Sequence, residues 1–210
     1  MNKLFLITLL LITSINAQEP ANTESNQSVT PKTIKTQHDG WYAGFNMGVI
    51  NWGGEVIIST GYGDTTYDVD TEDKVMMLQV GYETTSENRI EFYYKTDSIK
   101  AKEENRHLDM YDTSTFGINY QWGISSLSTD KLLPYIRVGI GFGSGELKNS
   151  TIDFDAVEFD LGVGIHYHVT DTIDISGGLY RRAIAIGNEN SDNTIISALN
   201  GVEVGANYHF

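Results

Sequence analysis

The chain has 210 residues, a formal net charge of −14 at pH 7, a pI of about 4.6 and no cysteine. Such acidity argues against a nucleic-acid partner, which would need a basic stripe, and without Cys no disulfide stabilises the fold. Past the first residues no segment holds the ~18–20 consecutive apolar residues of a membrane helix, so a membrane-spanning chain of this kind would have to be a closed β-barrel.

Lys3 precedes an apolar run from Leu4 to Ile15, and Ile15-Asn16-Ala17 ends on a small residue. This is the pattern of a secretory signal peptide over 1–17, cleaved after Ala17. No Cys follows it for lipid anchoring. Residues 18–39 carry Pro20 and Pro31, are rich in Asn, Thr, Ser and Gln, and have no aromatic residue. They bury too little apolar surface to offset their ordering entropy, so a disordered periplasmic leader is expected. One domain, 40–210, remains.

Within it the alternation of apolar and polar residues is strict. Residues 41–50 place Trp41, Ala43, Phe45, Met47 and Val49 on one face, and Tyr42, Gly44, Asn46 and Gly48 on the other. A long polar loop, 53–73, is expected next. Residues 74–83 set Met76, Leu78, Val80 and Tyr82 against Met77, Gln79 and Gly81, and a short turn follows at 84–88. Residues 89–96 oppose Ile90, Phe92 and Tyr94 to Arg89, Glu91, Tyr93 and Lys95. A charged loop, 98–109, leads to 112–122, with Phe116, Ile118, Tyr120 and Trp122 on the apolar face. The connection 123–133 is long for a turn, and Pro134 stands at a strand start, where its missing N–H does least damage. Residues 135–143 put Ile136, Val138, Ile140 and Phe142 outward and Tyr135, Arg137 and three glycines inward. After a loop over 144–155 comes the clearest stretch, 157–169: every odd position is large and apolar, every even one Glu, Asp, Gly or His. A tight turn at 170–172, a strand over 173–182, a loop over 183–194 and a strand over 195–210 complete the chain.

Period two means a strand whose faces meet different surroundings. Here the polar face is small and charged and the apolar face carries large rings. A lipid-facing exterior around a narrow polar lumen fits that pattern, whereas a soluble lipocalin-like barrel would reverse the polarity. Eight strands with alternating short turns and long loops predict an all-β, antiparallel, up-and-down transmembrane β-barrel. Trp41, Tyr82, Tyr120, Trp122, Tyr135, Tyr167, Tyr208 and Phe210 gather at the short-turn end as an expected periplasmic girdle, and Trp52, Tyr94, Tyr111, Phe142 and Phe154 as an outer one.

Four inward cations, Arg89, Lys95, Arg137 and Arg182, face the inward anions Glu91, Glu158, Asp160, Asp174 and Glu203. Buried charges persist when paired, so a lumen charge network is expected, with Arg182 beside Asp160, Arg137 level with Glu91 and Lys95 level with Glu203. His166 and His168 share the inward face, and two imidazoles in a hydrogen-bond network are expected there; a metal site would need a third ligand. His107 near Asp109 and Asp112 is read as a solvated loop residue. The acidic first loop carries Glu55, Asp64, Asp68, Asp70, Glu72 and Asp73; within it Asp68-Val69-Asp70-Thr71-Glu72 lacks the glycine and the terminal bidentate Glu of a calcium loop, and the loop is read as solvated. No metal or cofactor is expected.

The last strand, Gly201 to Phe210, places outward residues at every second position and ends on Phe. With Trp41-Tyr42-Ala43-Gly44-Phe45-Asn46-Met47-Gly48 and Pro134-Tyr135-Ile136-Arg137-Val138-Gly139-Ile140-Gly141, it resembles the small OmpA-like and opacity-type outer-membrane barrel family. That resemblance implies residence in the cell outer membrane. It also implies that Gly201, Val204, Ala206, Tyr208 and Phe210 form an assembly signal read by the barrel-assembly machinery, with outer-membrane lipid and lipopolysaccharide as surroundings and a monomeric barrel. No wall-binding domain is expected after the barrel. The deacylases among such barrels need an outward His-x-Ser, and His166-Tyr167-His168 faces inward, so an enzyme is not expected. The functional expectation is a structural or surface-interaction barrel with a filled lumen; the alternatives are a small-solute pore and, third, an enzyme of outer-membrane lipid.

Overall fold

The computed structural model describes residues 39–60, 62–69, 74–84, 87–103, 106–147, 153–187 and 194–210. The expected signal peptide, the leader up to residue 38, and Asp70, Glu72 and Asp73 of the acidic loop lie outside the described residues, as do the side chains of Trp52, His107 and Asp109.

The described strands are β1 (Gly40–Thr60), β2 (Gly63–Val69), β3 (Lys74–Glu83), β4 (Arg89–Glu103), β5 (Arg106–Gly123), β6 (Leu132–Leu147), β7 (Asp153–His168), β8 (Ile173–Gly187) and β9 (Thr194–His209). Each pairs antiparallel with the next position, and β1 returns to β9 from Tyr42↔His209 to Ser59↔Thr194, which closes the sheet. The first half of β1 pairs with β3 and its second half with β2. Segments β2 and β3 therefore share one position between β1 and β4, and the barrel has eight. Closure leaves no strand edge within the apolar band, which is the condition for a sheet to span lipid.

Strand length is where the structure departs from the expected boundaries. The loops expected at 53–73, 98–109, 144–155 and 183–194 are largely strand: β1 runs on to Thr60, β4 and β5 continue to Glu103 and from Arg106, and β6 to β9 extend likewise. At 3.3–3.4 Å per residue the 21 residues of β1 reach about 70 Å. Tilted by ~40°, they rise about 50 Å, well beyond a hydrocarbon core of ~30 Å. The barrel wall thus continues into water at the end opposite the short turns.

The chemistry of the two faces reverses along this length. Near the turns the outward side chains are Leu78, Phe92, Ile118, Ile140, Val163 and Ile175, all exposed, and the inward ones are charged or amide. In the extension the inward side chains become Val56, Ile99, Tyr111, Phe154, Ile184, Ile186, Ile195 and Leu199, a buried apolar cluster. Outward positions there include Glu55, Ser144, Glu146 and Asp155, which are exposed. A wall in lipid needs an apolar outside; a wall in water needs an apolar inside. The same eight strands satisfy both in turn.

That reversal corrects three aromatic assignments. Tyr111 and Phe154 share the inward phase of Thr113 and Ala156 and are buried in the apolar cluster, so they are not in an outer girdle. Tyr135 also faces inward, against His166 at a ring-centroid distance of 4.5 Å. Trp41, Tyr82, Trp122, Tyr167, Tyr208 and Phe210 remain exposed around the short-turn end. The long connection after β5 has a local explanation. A 3₁₀ turn over Ser125–Leu127 is held by Ser128 Oγ donating to the Ile124 carbonyl at 3.0 Å, and Thr129 Oγ1 accepts from the Leu132 amide at 3.1 Å.

Candidate functional site

The lumen is the candidate site, and it is filled from the short-turn end upward. Its lowest layer centres on Arg89, which is fully buried. Its Nη2 donates to Asp174 at 2.9 Å and lies 2.8 Å from Glu83, and its Nη1 is 3.2 Å from His166 Nδ1. His166 Nδ1 also lies 3.4 Å from Asp174 Oδ1, and its Nε2 is 2.8 Å from Gln121 Oε1. Both nitrogens of His166 are thus engaged by protein partners and neither is presented to a metal. Asp174 also accepts from Asn207 Nδ2 and His209 Nε2, each at 2.7 Å. Asn207 in turn accepts from Gln79, and Gln79 from Asn46, at 2.8 and 2.7 Å.

In the middle layer Arg137 grips Glu203 with both terminal nitrogens, at 2.5 and 3.0 Å. The fork geometry of guanidinium on carboxylate makes this a strong, directional pair. Glu91 is engaged by uncharged donors, the Tyr42 hydroxyl at 2.7 Å and the Asn119 amide at 3.3 Å. Above them Lys95 sits 2.5 Å from Asp160 and 2.9 Å from Glu158, which also accepts from the Tyr93 hydroxyl. Arg182 donates to Asp97 at 2.7 Å and, through Nε, to Asp160 at 3.3 Å.

The structure brings the nine inward charges named from the sequence into one column, with two pairings changed. Arg137 pairs with Glu203 instead of Glu91, and Lys95 with Asp160 and Glu158 instead of Glu203. The reason is geometric: strands tilt and stagger, so residues at equal counts from the turns are not at equal heights across the lumen. Sequence reading missed Glu83, Asp97 and His209. The signal was available, since Glu83 continues the inward phase of Met77, Gln79 and Gly81, and Asp97 that of Tyr93 and Lys95. With them, seven carboxylates (Glu83, Glu91, Asp97, Glu158, Asp160, Asp174, Glu203) meet four cations, so the column is more acidic than expected. Of the residues of the expected assembly signal, Val204, Ala206, Tyr208 and Phe210 are exposed, whereas Gly201 is buried where a Cβ would meet the Tyr180 ring.

Large rings close the remaining space. Tyr42 lies against Gly81, Tyr135 against Gly164 and Tyr180 against Gly201, each at a contact no Cβ would allow. Above the charged layers the Tyr111 hydroxyl meets Ser197 Oγ at 2.5 Å, and around it lies the apolar cluster. Among the described residues no group of three or more His, Asp or Glu side chains has the geometry to hold a metal.

Comparison with known proteins agrees with this architecture. The family described as Outer membrane protein beta-barrel domain matches residues 7–210. Among solved structures, Neisserial surface protein A is similar over 81% of this chain and 97% of that one, with 14% identity and a TM-score of 0.55. The outer membrane protein OprG from Pseudomonas aeruginosa is matched over 83% of this chain and 98% of its own, at 12% identity and a TM-score of 0.47. The comparison with curated proteins returned no match.

Proposed function

The chain belongs to the outer membrane protein β-barrel domain family and is a Gram-negative outer-membrane protein, and from that premise we propose a surface-interaction barrel whose lumen is a strut and not a path. The observation that carries this reading is the double closure of the interior. A column of ion pairs fills the lumen through the apolar band, and a cluster from Val56 to Leu199 seals it above. Conduction needs a continuous wet path, and dry apolar side chains packed across a narrow lumen oppose it.

What such a barrel offers its surroundings is its extension. The β1–β2 hairpin carries Asp64 and Tyr62 exposed at its tip, and β4, β6 and β8 run toward the same end. We place that end outside the cell and the short turns in the periplasm. The barrel acts as a monomer among outer-membrane lipid and lipopolysaccharide, and its last strand, with Val204, Ala206, Tyr208 and Phe210 outward, is what the assembly machinery reads. Enzymatic chemistry has no support in the lumen, where each histidine and carboxylate named above is held by a protein partner.

Orientation is tested on intact cells. Asp64→Cys introduces the chain's one thiol, and an impermeant maleimide should label it without lysis. Labelling only after lysis would reverse the proposed topology. A small-solute pore is the competing reading, and it requires steady current from the refolded protein.

A further inference from the structure

One stretch of the lipid-facing wall departs from the pattern of the rest. On the outward face of β8, where Ile175 and Leu179 are exposed apolar residues, position 177 is glycine, and a Cβ placed there meets nothing within 4 Å. Neighbouring Gly178 is required by the Tyr135 ring inside, but no contact with a described residue requires Gly177, and glycine weakens a strand interior. The gap opens a groove of about 680 Å³ framed by Ile136, Val163, Ile165, Leu179 and Val204. That volume is within the ~300–1,000 Å³ range of sites that seat a small ligand. A second groove of about 460 Å³ shares Ile136, Val163 and Leu179 and continues it upward to Arg181 and Asn200.

Arg181 is the second departure. It is exposed on the lipid-facing phase of β8, paired in register with Leu161 and Asn200, and no described residue forms an ion pair with it. A cation on the lipid face is costly near the midplane and tolerable at the headgroup level. From Arg181 to Gly177 is four residues, about 13 Å along the strand and, at a tilt of ~40°, a rise of about 10 Å, which keeps Gly177 within the ~15 Å hydrocarbon depth of one leaflet. We infer that this groove is a binding site for one molecule of lipopolysaccharide, with a lipid A phosphate on the Arg181 guanidinium beside Asn200 and one acyl chain descending past Leu179 into the Gly177 gap. A guanidinium fork matches phosphate geometry, and the groove is continuous with the surface that lipid already covers. The choice of a glycolipid of the outer leaflet rests on the orientation proposed above; it does not depend on whether the lumen conducts.

Refolded full-length protein in micelles, mixed with purified lipopolysaccharide and analysed by native mass spectrometry, tests the site. Wild type should retain about one lipopolysaccharide per barrel. Arg181→Gln and Gly177→Leu should each weaken retention by about tenfold, the effect of one lost charge-assisted contact or one filled slot. Arg181→Lys should recover part of it, and heat-modifiability on gels should show all variants folded. Equal retention by wild type and Arg181→Gln would overturn the site. So would an Arg181-dependent preference for phosphatidylglycerol over lipopolysaccharide. The intact-cell labelling of Asp64→Cys reports orientation separately, so a wrong topology and an absent site give different results.

Discussion

At the scale of single residues the lumen is held by struts that cross it. Arg137 and Glu203 stand on β6 and β9, Lys95 and Asp160 on β4 and β7, Arg89 and Asp174 on β4 and β8. Each links strands that are not neighbours, so each constrains the barrel's cross-section as well as satisfying a buried charge. Removing one partner of such a pair leaves the other uncompensated in a dry site, which costs about 3–5 kcal/mol. Arg137→Ala should therefore lower barrel stability by that order, measured by urea unfolding of the refolded protein. Replacing the pair together, Arg137→Met with Glu203→Leu, should recover most of the loss, because the penalty belongs to the orphaned carboxylate. If the double variant is as unstable as the single one, the ion pair is not what Arg137 contributes. Residue-level reading of the sequence reaches only part of this. Asp160 and Arg182 are register partners on adjacent strands, so counting along two strands brings them together. Arg137 and Glu203 meet across the lumen, where stagger decides and no count along the chain does.

At the scale of elements the reversal of polarity along each strand is the organising fact. Strand β7 shows it most simply: on one face Phe154 and Ala156 lie in the apolar seal, and Glu158 and Asp160 follow them into the charged column. The sequence displays the lower half of that face plainly, because apolar and charged residues alternate there. The upper half is hidden, since the inward face turns apolar just as the outward face turns polar and mixed, and a period of two with reversed sign reads as a loop. Segments such as Glu55-Val56-Ile57-Ile58-Ser59 lack clean alternation altogether, and their strand character comes from pairing with β2 and β9. Two substitutions separate the zones. Ile118→Arg, on the lipid face of β5, should destabilise insertion by about 2–4 kcal/mol, read as the folded fraction in lipid vesicles. An equal folded fraction would remove Ile118 from the bilayer. On β9, deleting Phe210 should lower the folded, heat-modifiable barrel recovered from outer membranes, because the outward ring is lost from the strand offered for assembly. Unchanged recovery would detach Phe210 from that role.

At the scale of the whole molecule the barrel is a membrane-embedded stave wall that continues as a water-facing one. The lower part supplies location: exposed Trp41, Trp122, Tyr167 and Tyr208 ring the short-turn end, where amphipathic rings favour the headgroup level. The upper part carries the apolar cluster inside and polar side chains such as Glu55, Glu146 and Asp155 outside. An apolar cluster lies above a column of buried ion pairs, and the proposed surface-interaction role requires that the two together close the interior. The most direct test is the current through single refolded wild-type barrels in a planar bilayer. Closed recordings, without sustained steps above baseline at moderate voltage, are the expected result. Steady, reproducible single-channel steps from the wild type would contradict the closed lumen and make a small-solute pore the better account.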